Sequence, residues 1–219
     1  MVVLLFIVLL IDRHIDLSFV FKKFLFSTAS AEGLYVSDIS DPKFIGPIAN
    51  FQVPGYGKGV CMSSDGVYAL LAIGEGGVIM LNFSKLLAGT RELPSPNTFS
   101  GRLDLPGSAE YIAIVPGTKY ACIACGPAGL QIIDYADTAH ITVAGSFATG
   151  GFAKDVCVAG DRAYLATESQ GVQIIDIANV ASPRRIGQVK LTDVRGVDVS
   201  NRYIYAADQE EGLIIITIP

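Results

Sequence analysis

The sequence predicts an all-β protein made of about five repeated four-stranded antiparallel sheets, the last of them incomplete. Three observations predict this. Five segments share one pattern: Gly33-Leu-Tyr-Val-Ser-Asp38, Gly77-Val-Ile-Met-Leu-Asn82, Gly129-Leu-Gln-Ile-Ile-Asp134, Gly171-Val-Gln-Ile-Ile-Asp176 and Gly212-Leu-Ile-Ile-Ile-Thr217. Their glycines are 44, 52, 42 and 41 residues apart, a period typical of stacked or radial repeats. Seven residues before each glycine stand Phe26, Leu70, Cys122, Tyr164 and Tyr205, and five before stand Thr28, Ala72, Ala124, Ala166 and Ala207. The second column is small throughout, as close packing of one sheet on the next demands.

Each period resolves into short runs rich in Val, Ile and Tyr and bounded by turn residues, the signature of strands. The first blade takes its second strand from Lys23 to Thr28, its third from Gly33 to Ile39 and its fourth from within Phe44 to Val53. Three complete blades follow, the last of them ending in the run Arg185 to Leu191. The fifth consists of Gly196 to Ser200, Arg202 to Ala207 and Gly212 to Ile218, with no fourth strand, so either the apolar stretch Val2 to Ile11 supplies it and closes a five-bladed ring or the chain is a piece of a longer propeller. Ser63-Ser64-Asp65-Gly66, Val115-Pro116-Gly117-Thr118 and Ala159-Gly160-Asp161 read as tight hairpins, where glycine supplies a positive φ. Runs such as Ile132-Ile133 abandon strict alternation, so both faces of these sheets are expected to be covered. Four-stranded sheets each packed on two neighbours are the blades of a β-propeller.

The 219 residues thus divide into an apolar leader, 1–22, and a repeat domain, 23–219, whose longer loop at 84–100 carries Gly89, Pro94, Pro96 and Asn97. Met1 to Ile11 is apolar throughout but shorter than the roughly 17 residues a spanning helix needs, so no transmembrane helix is expected. The leader reads either as the strand that closes the last blade or as a signal-like segment, for which Ala29-Ser30-Ala31 has the look of a cleavage site. Charged residues are 17% of the chain against about 25% in an average domain, which excludes disorder. The net charge of -5 and the scattered basic residues exclude a nucleic-acid stripe.

The segments from Gly129 to Tyr135 and Gly171 to Ile177, with Asp161-Arg-Ala-Tyr-Leu-Ala-Thr, resemble the LVIVD repeat, which is related in layout to WD and YVTN repeats. The resemblance covers residues 23 to 218 and is strongest from 129 onward. Blade two departs from it at Asn82 and in its long insertion, and the first eleven residues have no counterpart. It implies a propeller from a family of largely uncharacterised bacterial and archaeal proteins, often predicted to be exported, so a place outside the cytoplasm is expected: extracellular, periplasmic or on the cell surface.

Cys122-Ile-Ala-Cys125 has redox or metal spacing, but residues three apart in a strand point to opposite faces, so both are expected to be buried and unjoined. Cys61 and Cys157 occupy equivalent places on innermost strands, where Ala113 and Asp198 stand in other blades. A metal-dependent hydrolase or lactonase needs several inward carboxylates or imidazoles, and that column holds one. His14 lies in the leader and His140 opens an outer strand, away from the axis. Asp38, Asn82, Asp134 and Asp176 end third strands, where an Asx side chain closes the next turn. The chain therefore reads as a non-catalytic scaffold without cofactor or metal, whose partner is a protein or a glycan. The candidate binding face gathers Tyr56, Lys58, Phe152, Lys154 and Arg195, interrupted by Glu110. Glu32, Glu75, Glu168, Asp208, Glu210 and Glu211 form an expected outer acidic rim that leaves the inner cations to favour an anionic group.

Overall fold

A computed structural model describes residues 17–41, 43, 45–88, 90, 94 and 99–218. The first blade is β1 (Leu17–Phe21), β2 (Phe24–Thr28), β3 (Leu34–Asp38) and β4 (Gly46–Phe51). The second is β5 (Gly59–Met62), β6 (Tyr68–Ala72), β7 (Val78–Asn82) and β8 (Gly101–Leu103), with the short helix α1 (Ser84–Leu87) opening the long loop before β8. The third is β9 (Tyr111–Ile114), β10 (Tyr120–Ala124), β11 (Leu130–Asp134) and β12 (Thr142–Phe147). The fourth is β13 (Asp155–Ala159), β14 (Arg162–Ala166), β15 (Val172–Asp176) and β16 (Arg184–Val189). Among the described residues the fifth has three strands, β17 (Val194–Ser200), β18 (Tyr203–Asp208) and β19 (Gly212–Thr217). Strands run in chain order across every sheet and all pairs are antiparallel.

Residues 17–21, assigned to the leader by sequence, form the innermost strand of blade one, pairing Leu17 with Thr28 and Phe21 with Phe24. Asp12 to Asp16 separate it from the apolar run of the leader, and its own five letters repeat no pattern of the other innermost strands. The Ala29-Ser30-Ala31 triplet lies in the β2–β3 turn, so cleavage there would divide the first blade. The closing strand or signal at Val2 to Ile11, and His14, lie outside the described residues. No helix among the described residues is long and apolar enough to cross a membrane.

Each innermost strand from β5 onward rests on the first two strands of the blade before it, and four apolar clusters fill the spaces between successive blades. The bulges between β11 and β12 and between β15 and β16 fall at Ile132/Ile133 and Ile174/Ile175. Ile132 packs into the cluster between blades three and four, and Ile133 into that between blades two and three, which accounts for the lost alternation.

The small column behaves as expected in four blades. Thr28, Ala72, Ala124 and Ala166 have no exposed surface, but Ala207 is exposed, because no described blade lies against its face. Ala166→Leu is therefore expected to cost about 1–3 kcal/mol by overpacking. Ala207→Leu, which the sequence alone would have placed in the same class, adds methyl groups to open surface and is expected to stay within about 0.5 kcal/mol of the parent. Denaturant midpoints in dilute solution check both.

Candidate functional site

Backbone bridges tie each turn between the second and third strands to the segment leading into the next blade: Ser30 to Gly57, Gly74 to Ala109, Gly126 to Ala153 and Glu168 to Val194. Gly126 N–H donates to Ala153 O at 3.1 Å and Ala153 N–H returns to Gly126 O at 2.9 Å; the Gly74–Ala109 pair repeats this at 3.1 and 2.9 Å. The first partner in each bridge holds a positive φ, +41° at Ser30, +63° at Gly74, +49° at Gly126 and +47° at Glu168. Both loop sets thus meet on one face, and all five candidate residues stand there.

On three of the lead-in segments a side chain contacts the one two positions away. Lys154 Nζ lies 4.6 Å from the centre of the Phe152 ring, Ser108 Oγ donates to Glu110 Oε1 at 2.7 Å, and Arg195 Nε lies 2.7 Å from Asp193 Oδ1. Ser108 and Asp193, which replace the aromatics of the other blades, therefore position the inner charges. Glu110 is largely buried and lies 3.8 Å from Lys58 Nζ and 3.3 Å from Lys154 Nζ, so the acid expected to interrupt the cationic set instead joins blades two, three and four. Arg195 also meets Glu168 at 3.1 Å. These paired charges replace the cationic mouth expected from sequence.

Tyr56 is 58% exposed and stands at an open cavity of about 730 Å³, lined also by Lys58, Glu75, Ser108, Ser30 and Ile73. The glycines at 55, 74 and 76 bring backbone to its wall. The acidic rim is not uniform, since Asp208 is buried. Its Oδ2 accepts the N–H groups of Thr192 and Asp193 at 3.0 and 2.9 Å, and its Oδ1 those of Glu210 and Glu211 at 2.9 and 3.0 Å. Those backbone bonds, that of Asp193 first, hold its carboxyl below the usual range.

Asp155, not singled out by sequence, opens β13 and accepts the N–H of Val156 and, across the blade boundary, of Val197, each at 2.8 Å. Its column reads Gly59, Tyr111, Asp155 and Gly196, each opposite the small column. A side chain at Gly59 would press on Tyr111, with its Cβ 3.2 Å from that Cα. The glycines of this column, in blades two and five, face its two larger members, Tyr111 and Asp155, across the blade boundary.

Asp38, Asn82, Asp134 and Asp176 each accept at Oδ1 the N–H two residues on, at 2.9, 2.9, 2.9 and 3.1 Å, the expected Asx turns. His140 is exposed, 3.0 Å from Asp137. Cys122 faces blade four and Cys125 blade two, and burial pushes both thiols up to about 12. Both are expected to resist alkylation in the folded protein at pH 8 and to react after unfolding without reductant; a missing pair of labels in the unfolded mass spectrum would contradict the strand geometry.

The family model of the LVIVD repeat matches residues 106–149, 150–190 and 192–218. No curated protein matches the chain. Among solved structures, the Cps50 (Swd1) β-propeller domain of Myceliophteria thermophila is similar at 14% identity and a TM-score of 0.71, over 96% of this chain and 67% of that one. A functionally unknown protein from Desulfotomaculum acetoxidans is similar at 14% identity and 0.73, over 95% and 70%. A chain of the mitotic checkpoint complex is similar at 12% identity and 0.75, over 94% of this chain and 64% of that one. At these identities the likeness is one of fold.

Proposed function

We propose, from the premise that this chain belongs to the LVIVD repeat family, that it is a non-catalytic propeller scaffold that binds a protein or glycan on the face carrying Tyr56. The single observation behind the proposal is Tyr56 itself, an exposed aromatic at the rim of a cavity whose walls offer Lys58, Glu75 and Ser108. A half-exposed aromatic beside fixed polar groups is the usual anchor for a peptide side chain or a sugar ring. The similar chain from the mitotic checkpoint complex supports a protein partner at the level of the fold.

The scaffold reading is favoured over a metal-dependent hydrolase by how the inward carboxylates are engaged. Asp155 already accepts two backbone N–H groups and Asp198 one. The proposal places the protein outside the cytoplasm, which fractionation of the source cells tests. Binding is tested with a glycan array and with affinity capture, followed by Tyr56→Ala, Phe152→Ala and Arg195→Ala. Asp65 and Lys119, an ion pair on the opposite face, serve as controls. Loss at Tyr56, with retention in the Asp65→Ala and Lys119→Ala variants, is expected. Loss confined to those two variants would overturn the assignment of the face.

A further inference from the structure

In the bridge from blade three to blade four, Gly126 pairs with Ala153, and the residue before Ala153 lays its ring over the turn. A Cβ built on Gly126 would come 2.9 Å from Phe152 Cζ and 3.1 Å from its Cε2, and Lys154 Nζ stands 4.6 Å from the centre of that ring. One blade earlier Gly74 pairs with Ala109 in the same left-handed backbone, φ +63° against +49°. There the residue before the bridge partner is Ser108, which has no ring to lay down. Among the described residues the atom nearest to a Cβ on Gly74 is Ser108 Oγ at 3.7 Å, followed by Tyr56 Cβ and Tyr56 O at 3.9 Å. The open cavity of about 730 Å³ has Gly74, Ser108, Tyr56 and Lys58 in its wall. It occupies the place that the Phe152 ring fills one blade on.

We propose, on the reading that the Tyr56 face is the binding face, that this cavity receives an aromatic side chain of a protein partner, whose ring lies over Gly74 as Phe152 lies over Gly126. Gly74, like Gly126, has no Cβ to hold a ring off the backbone. Tyr56 offers a second ring at the edge of the cavity, and aromatic pairs attract beyond the area they bury. Lys58 shares the single carboxylate of Glu110 with Lys154, at 3.8 and 3.3 Å, so one carboxylate serves two ammonium groups. The face of a π system suits the remaining charge, as Phe152 suits Lys154. A sugar ring lacks that negative face, and the Ser108 hydroxyl it would meet already donates to Glu110 at 2.7 Å.

The chain contains no tryptophan, so an indole probe can be followed by its own fluorescence. N-acetyltryptophanamide titrated with the full chain is expected to saturate with a dissociation constant of about 1 mM or less. N-acetylphenylalaninamide should displace it, its cyclohexyl counterpart about two- to five-fold less well, and methyl glucoside not at all. Ser108→Phe supplies the ring from the chain itself and should abolish saturation with unchanged circular dichroism. Lys58→Met, at a partly exposed side chain, should remove the preference for phenyl over cyclohexyl. A parent that binds no indole, saturation that survives in folded Ser108→Phe, or a phenyl preference that is absent from the parent or unchanged in Lys58→Met overturns the proposal. Capture of a partner that is lost in Tyr56→Ala but kept in Ser108→Phe, or Tyr56-dependent binding of methyl glucoside without indole, keeps the face and overturns its aromatic occupant. Capture indifferent to both substitutions removes the face as well.

Discussion

Gly171→Ala is expected to destabilise the protein by about 3–5 kcal/mol. Gly171 closes the β14–β15 turn with φ +75°, where a side chain costs about 1–2 kcal/mol by itself. Its amide donates to Glu168 O at 2.9 Å, and its carbonyl accepts both the N–H and the hydroxyl of Thr167, at 2.9 and 2.7 Å. A Cβ there would strike the carbonyl oxygen of Val189 and lie 2.6 Å from the Leu191 nitrogen, and backbone of the neighbouring strand cannot rotate away. Gly212 is the internal control. Its φ is +79°, yet nothing lies within 4 Å of its added Cβ, because no described strand pairs with the outer edge of β19. Gly212→Ala should therefore cost only the conformational part, about 1 kcal/mol. Equal losses for the two variants in denaturant titrations would mean that the close approach of the fourth strand contributes nothing.

A pH-dependent loss of about 2–3 kcal/mol is expected from Asp155. Burial pushes its carboxyl up to about 6, against the two N–H bonds that favour its charge, and the charge of Asp198 acts in the same upward direction. An ordinary carboxyl in the unfolded chain ionises near pH 4. The unfolded chain thus releases this proton first, so the group favours folding most below about pH 4 and progressively less up to about pH 6, above which its contribution is constant. Asp155→Asn keeps an acceptor for Val197 and cannot ionise. Its stability minus that of the parent should rise between pH 4 and 6 and stay high at pH 7. Asp208 has the opposite sign, since its lowered carboxyl stabilises above the usual carboxylate range and loses that effect as the pH falls through its folded value. Parallel parent and variant curves from pH 4 to 6 would show that Asp155 is not a desolvated carboxylate.

The strands and their grouping were legible because each repeat states the same requirements again. The glycine that opens the third strand needs a left-handed backbone, the Asx residue at its end closes a turn, and the small residue opposite lets the next sheet approach. Leu17 to Phe21 was missed because innermost strands share little sequence: Leu17-Ser-Phe-Val-Phe21 and Gly59-Val-Cys-Met62 have only apolar character in common. That Tyr56, Lys58, Phe152, Lys154 and Arg195 share one loop face was legible from their places in the repeat. The roles of Glu110 and Asp208 were not, because a carboxylate in a turn looks the same in sequence whether it faces water or four N–H groups.

By itself the sequence determined what depends on near neighbours: strand positions, turn conformations, the Asx closures and the face on which each side chain lies. Those follow from the alternation of a strand and the φ tolerance of glycine, which act over a few residues. Only the tertiary structure decided which charges are paired, which thiols face which blade and which apolar face no described strand covers. Glu110 meets Lys154 across 44 residues and Asp155 reaches Val197 across 42. A hydrogen bond holds only within about 3 Å, and it is the packing of one blade on the next that brings such distant groups within that distance. The same packing buries the Ala166 side of blade four and, with no described sheet beyond blade five, leaves Leu213 and Ile215 in water.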